Sequence, residues 1–328
     1  MAWMQQEYDL ESCAIRDTPA QETVTCGQVL DYYRVNHIDA GGCRDPYTRR
    51  HNQKWLEQYF SDIPVAKLEQ THINAYVRKR AAGASKDGIG RGAGCGTVRG
   101  ELEQLITAIK YVQDTHAMDK ALVGLSMPKF TLPDHAPRRE RWLTRDELAR
   151  LLDEMRWEYD GGGRRRWVPA RMTRVYRWGV LAYYTASRRS AIEKLTLPQI
   201  KREQNMIELL PAGETQTSKR RPPVPITSEY SAFIDRLLAE RQTDMGYALD
   251  KGTAIYTAFQ RAVKAAGLDG TGVVPHTLRH TRAVHLAQDG VDLFVIAGLL
   301  GDTYKTVQDT YLHHCPDHIR KALEQGAR

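Results

Sequence analysis

The stretch PHTLRHTRAVHLAQDGVDLFVIAGLLGDTYKTVQDTYLHH, residues 275–314, decides how this chain folds. Its apolar residues recur at helical spacing in three runs, 277–288, 292–300 and 303–314. His276 and Arg279, at i and i+3, share a face of the first run. Tyr304 and Tyr311 lie two turns apart with Val307 between them, so periodicity alone assigns both to packing. His313 and His314 are adjacent and point apart on a helix, and their spacings match no structural zinc pattern. Asp302 is the odd member: an anion directly after a Leu-Gly pair.

Upstream, helical patterns at 228–242 and 253–267 follow two short β-rich runs, MIELL and PPVPIT, separated by PAGETQTSKRR. These runs predict a small hairpin or sheet near 199–227. Thr144 and Glu147 form a capping box that opens LTRDELARLLDEM. The basic, proline-bearing MPKFTLPDHAPRRERW, 127–142, reads as an extended linker. Before it lie more helical patterns, the first opened by Thr25 and Gln28 at capping-box spacing. Val98, Leu102, Leu105, Ile106, Ile109 and Val112 make one apolar stripe, with Thr97 as the expected N-cap. GASKDGIGRGAGCG, 83–96, lacks the Gly-Lys-Ser/Thr ending of a phosphate loop and follows a helix, so it reads as a flexible connector. The predicted fold is mainly α. A flexible N-terminus (1–20) precedes a helical domain (21–126), the linker (127–142) and a mostly helical domain with a small antiparallel β-sheet (143–328).

The 328 residues are enough for two cored domains. The net charge is +7, a mild pointer to a polyanionic partner. Its distribution says more. Between Gly161 and Ile192 there are eight arginines and no acid, interleaved with Trp167, Tyr176, Trp178, Tyr183 and Tyr184. A basic run is usually a solvated face, but arginine grips phosphate bidentately at little hydration cost, so this mixture leans towards nucleic acid. The five cysteines include no C-x-x-C pair, which argues against a disulfide framework and fits a reducing cytosol. The start MAWMQQEYDLESC has no apolar secretory core, and no apolar run is long enough to span a bilayer.

Taken in order, TASRRSAIEKL, a hairpin with a lysine, HTLRH, LLGD and a tyrosine resemble the tyrosine recombinase (phage integrase) family. That family's pattern is Thr-Gly-x-Arg, a hairpin Lys, His-x-Leu-Arg-His, Leu-Gly-His and Tyr. Asp302 stands 23 residues after Arg279, and Tyr311 nine after Asp302, both in the family's register. The resemblance implies that Tyr311, not Tyr304, is a nucleophile that attacks a DNA phosphodiester. Arg188 and Arg279 would clamp the phosphate, His276 would be the base and His280 a supporting member of the box. A lysine would protonate the leaving 5′ oxygen; Gln216 falls where many members hold it, and Lys219 at the same turn is the expected substitute. Arg164, Arg165, Arg166 and Arg171 would bind DNA. No cofactor or metal is implied.

The implied protein is a site-specific recombinase that integrates or excises a phage, genomic island or other mobile element. Its partners would be double-stranded DNA, three further copies in a homotetramer on paired sites, and accessory DNA-bending or directionality proteins. It would be cytoplasmic, nucleoid-associated on DNA, without a membrane partner. The short N-terminus leaves little room for a separate arm-binding domain. A type IB topoisomerase-like enzyme and a catalytically weakened DNA-binding relative are the alternatives.

Two small departures, Ala186 for the usual Gly and Ala191 for a common Glu, read as tolerable. Asp302 is the sharpest one, because the family's His or Trp there donates to the phosphate whereas a carboxylate only accepts. It would repel a phosphate a few ångströms away by roughly 1–4 kcal/mol. It would cap the next helix, accept from Tyr311, or mark a weakened site. The N-cap reading is the expected one, with Thr303 or His313 as a substitute donor.

Overall fold

The computed structural model describes residues 24–85, 88–89, 92–115, 127–135, 141–159, 165–167, 171–216, 219–241, 246–250 and 254–312. The predicted N-terminal segment, Arg164 and His313 lie outside them. The chain divides into two compact units, Met1–Arg138 and Arg139–Arg328.

In the first unit, α1 (Cys26–Tyr33), α2 (Pro46–Phe60) and α3 (Gln70–Ala81) all pack on α4 (Cys95–Asp114). The Thr25 hydroxyl accepts from the Gln28 amide, and the Gln28 side chain accepts in return from the Thr25 N–H, so the predicted capping box forms. The stripe on α4 buries Val98, Leu102, Leu105, Ile109 and Val112 against Leu30, Tyr33, Phe60 and Tyr76. The N-cap of α4 is Gly94, not Thr97. The Gly94 carbonyl already accepts from the N–H groups of Thr97 and Val98, which places Thr97 inside the first turn. The glycine-rich stretch carries a short antiparallel pair, β1 (Ala84–Ser85) and β2 (Gly88–Ile89), where a connector is expected. The start of the proline-bearing segment is tied down: Met127, Phe130 and Leu132 pack on this core. The Gln70 side chain exchanges hydrogen bonds with the Thr131 backbone, and Arg99 donates to the Pro133 carbonyl.

The second unit opens with α5 (Arg145–Glu154), whose Thr144–Glu147 capping box is present. A hairpin of β3 (Trp157–Tyr159) and β4 (Arg165–Trp167) precedes α6 (Arg174–Tyr184) and α7 (Arg189–Glu193). The expected small sheet is antiparallel and three-stranded, ordered β5 (Ile200–Lys201), β6 (Met206–Ile207), β7 (Val224–Pro225). Then come α8 (Ser228–Arg241), α9 (Ile255–Ala265), α10 (Thr277–Gln288), α11 (Leu293–Leu300) and α12 (Tyr304–Tyr311). One core gathers Leu151, Trp178, Leu181, Ile192, Phe259 and Leu278. A second, smaller one gathers Ala186, Val284, Ile296, Leu300, Val307 and Tyr311. Helix α6 packs on α10, and the buried His285 is matched across them: it lies between the Tyr183 hydroxyl and the Leu143 carbonyl, 2.9 Å from each.

Candidate active site

Three turns of the second unit bring charge to one place. The first follows α6, where Ala186 adopts a left-handed conformation (φ +50°) with its side chain buried. This reverses the chain so that Arg188 becomes the N-cap residue of α7. The second is the start of α10, which carries His276, Arg279 and His280. The third ends α11: the Gly301 N–H bonds the Gly298 carbonyl and the Asp302 N–H the Ala297 carbonyl, a paired C-terminal closure that needs a left-handed residue. Gly301 supplies it at φ +65°, and a Cβ there would lie 2.9 Å from the Arg220 carbonyl oxygen. The Leu-Gly turn therefore sits flush on the segment after Lys219.

Asp302 does not cap α12. Thr303 does, accepting from the Thr306 N–H. The Asp302 carboxylate instead bridges both arginines: Oδ1 is 2.9 Å from Arg188 Nη2 and Oδ2 is 2.5 Å from Arg279 Nη2. Each guanidinium also uses its other terminal nitrogen on a backbone carbonyl, Arg279 on Ala186 at 2.8 Å and Arg188 on Arg220 at 3.3 Å. Burial lowers the pKa of Arg279 and the Asp302 charge opposes it, as expected for a cation taken out of water beside an anion.

Tyr311 is only 5% exposed, and its hydroxyl lies 2.7 Å from His280 Nδ1. Burial pushes this phenol up to about 12; Arg279 opposes the shift and Asp302 adds to it. His276, the base that the family resemblance implies, stands edge-on to His280 with ring centroids 4.7 Å apart. Both imidazoles are held below their ordinary range. His276 is brought to about 4 by desolvation and then by His280, Arg279 and Arg188; His280 is lowered by desolvation and then by Arg279. His276 keeps more than a third of its surface in solvent, which screens its neighbours' charges. Both rings are thus neutral at neutral pH and able to accept a proton. Tyr304, expected as a core aromatic, is 46% exposed.

Beside the arginines lies a small cleft of about 100 Å³, lined by Lys219, Arg220, Arg221 and Ser187 together with Arg188 and Arg279. Gln216 is exposed and is not among its described lining residues. The basic run is of two kinds. Arg166 and Arg171 are exposed and share Glu158, each at 3.1 Å, beside the Trp157–Trp167 ring pair; Arg165 precedes them on β4. Arg177 is buried against Asp250 at 2.9 Å and belongs to the fold.

Among the described residues no group of three or more His, Cys, Asp or Glu could hold a metal, and no helix is long and apolar enough to cross a membrane. Two site features escaped sequence reading: the Ala186 carbonyl under Arg279, which has no local signal, and the contact of His280 with the phenol. The latter was legible in principle, since position 280 is one turn past His276 on the same helix face.

Known proteins resemble this chain in sequence and in fold. A tyrosine recombinase of Pseudothermotoga lettingae is 23% identical over 278 residues, covering 81% of this chain and 86% of that protein. The tyrosine recombinase XerD of Haemophilus influenzae is 22% identical over 285 residues, covering 83% and 86%. With XerD of Lacticaseibacillus casei the identity is 26% over 153 residues, so there the match spans 42% of this chain and about half (50%) of the relative. The Tn1549 transposon integrase, solved with transposon right end DNA, shares the fold at a TM-score of 0.66 and 17% identity, over 93% of this chain and 100% of that one. XerH recombinase, solved in a post-cleavage complex with palindromic difH substrate, does so at 0.58 and 14%, over 94% and 97%. Residues 141–318 match the model of the phage integrase family, and the chain belongs to that family of tyrosine recombinases.

Proposed function

We propose that this chain is a site-specific DNA strand transferase that cuts and rejoins duplex DNA through a 3′-phosphotyrosine. The observation that carries the reading is the convergence of Arg188 and Arg279 on one carboxylate, beside a buried phenol held by an imidazole. Paired guanidiniums suit the two non-bridging oxygens of a phosphodiester, on which negative charge grows during displacement. Tyr311 Oη attacks phosphorus, the P–O5′ bond breaks, and Lys219 gives its proton to the departing 5′ oxygen. The reverse steps reseal the strand without ATP.

A phenol with a pKa near 12 makes free phenolate costly at pH 7, by roughly 7 kcal/mol. Proton transfer must therefore accompany attack. His280 is the group on the phenol, and His276 is the base that the family resemblance implies; the pair of neutral rings is the proton-accepting unit. The partner is double-stranded DNA, engaged by the second unit through Arg164, Arg165, Arg166 and Arg171 and also by the helical domain at 21–126. A homotetramer on two sites would exchange strands, with accessory DNA-bending or directionality proteins, in the cytoplasm, to move a mobile element.

Duplexes drawn from the flanks of the gene and nicked near the exchange point trap the intermediate. Wild type yields a covalent protein–DNA band, and Tyr311→Phe yields none. A wild type without a band, or a variant that keeps it, refutes the proposal. Asp302 within the clamp favours a second reading, a DNA-binding relative with an idle site. Duplex binding without any band is its signature.

A further inference from the structure

We propose that Asp302 is a displaceable internal occupant of the phosphate clamp: its carboxylate holds the place of the scissile phosphate between Arg188 and Arg279 and swings out when the DNA strand enters. The inference rests on the clamp role of the two arginines.

Four observations support it. The carboxylate places one oxygen on each guanidinium, as the two non-bridging oxygens of a phosphodiester would. A carboxylate and a phosphate cannot share that space without strong repulsion. The arginines do not depend on Asp302 for their aim, because the Ala186 and Arg220 carbonyls hold them from behind. The Asp302 side chain is 26% exposed, so it has a route to water. Its backbone is pinned by the Ala297 carbonyl and by Gly301 against Arg220, so exit needs only side-chain rotation.

The arrangement keeps two neighbouring cations paired while no DNA is bound, and the buried Arg279 has the greater need of a partner. It also lowers the apparent affinity for any phosphate by the fraction of time the clamp is free. Asp302 is thus a rival of the substrate for a clamp that backbone carbonyls already aim, and a phosphate that arrives with additional binding energy from a full duplex is the one able to displace it.

Calorimetric titration of inorganic phosphate at fixed ionic strength tests this on the full chain. Asp302→Asn should bind phosphate about tenfold tighter than wild type or better, and Asp302→Glu should remain weak. An Asp302→Asn affinity within twofold of wild type, or weaker, overturns the proposal. If added Arg188→Gln leaves the tight binding of Asp302→Asn intact, the arginine clamp itself is wrong, whatever the outcome of the Tyr311 band. Should Asp302→Asn fail to fold, a structure of wild type on duplex DNA decides. The carboxylate withdrawn from both guanidiniums supports displacement, and a carboxylate still bridging them overturns it.

Discussion

Glu101 and Asp302 are both carboxylates set against arginine, one in each unit, and they are built for opposite ends. Glu101 is 1% exposed; Arg80 meets it twice, at 2.5 and 2.9 Å, and the Tyr76 hydroxyl donates to it at 2.7 Å. The far face of Arg80 lies 3.7 Å from the Trp55 ring centroid. Both Glu101 oxygens are thus engaged by buried donors of the protein itself, so the group holds the fold. Asp302 divides its oxygens between two guanidiniums, one of them 30% exposed, beside an open cleft. The phenols differ in the same sense. Burial raises both, but Tyr76 donates to a carboxylate within a closed ion pair, whereas Tyr311 faces an imidazole able to take its proton. A saturated ion pair marks structure; an unsaturated one beside a cleft marks a place where another anion can enter.

The largest effect should come from the closed site. Glu101→Ala leaves Arg80 charged and buried, which should cost about 3–5 kcal/mol in urea unfolding of the first unit; added phosphate should not restore it. A loss below about 1 kcal/mol would mean that Arg80 finds water and that the two sites differ less than their burial implies. A smaller effect is expected at Ala186. A left-handed alanine costs roughly 1–2 kcal/mol that glycine avoids, partly offset by glycine's greater freedom when unfolded. Ala186→Gly should therefore stabilise the second unit by about 1 kcal/mol in thermal melts, while the carbonyl under Arg279 is retained.

The smallest effect is in pH. His276, His280 and His285 are all held below the unfolded imidazole value, chiefly by desolvation, so the folded second unit binds fewer protons than the unfolded one. Its stability is fully present above about pH 6.5 and declines as pH falls from there towards 4. His285 should contribute most, being fully buried between Tyr183 and Leu143; His276, open to solvent, should contribute least. Melting curves taken between pH 7 and 4 check this, and a second unit that melts unchanged across that range would refute it.

Much of this was legible in the sequence where the signal is local or ordered. Thr25–Gln28 and Thr144–Glu147 cap the helices they predict, because a capping box is written within four residues. The order of Arg188, Arg279 and Tyr311 pointed to one site because family register carries long-range information. Asp302 was misjudged for the converse reason. Locally it is a good cap, but Thr303 offers a hydroxyl one residue nearer the helix, and the arginines offer the carboxylate two charges from distant segments. The two-residue strands of the sheet are too short to show a period, so β5 went unseen. The arginine run looked uniform, yet Asp250, far along the chain, withdraws Arg177 into the interior.

Gly301 sets a standard of length for the whole site. A methyl group there would stand 2.8 Å from Pro222 Cδ and 2.9 Å from the Arg220 oxygen that also accepts from Arg188. The turn bearing Asp302, the guanidinium of Arg188 and the strand-ward chain from Lys219 are thus gauged against one another by contact. Any larger residue would act as a shim, widening the gap between the lysine and the arginines by the thickness of a carbon. The spacing of this corner of the cleft is in this sense machined by a side chain that position 301 does not have.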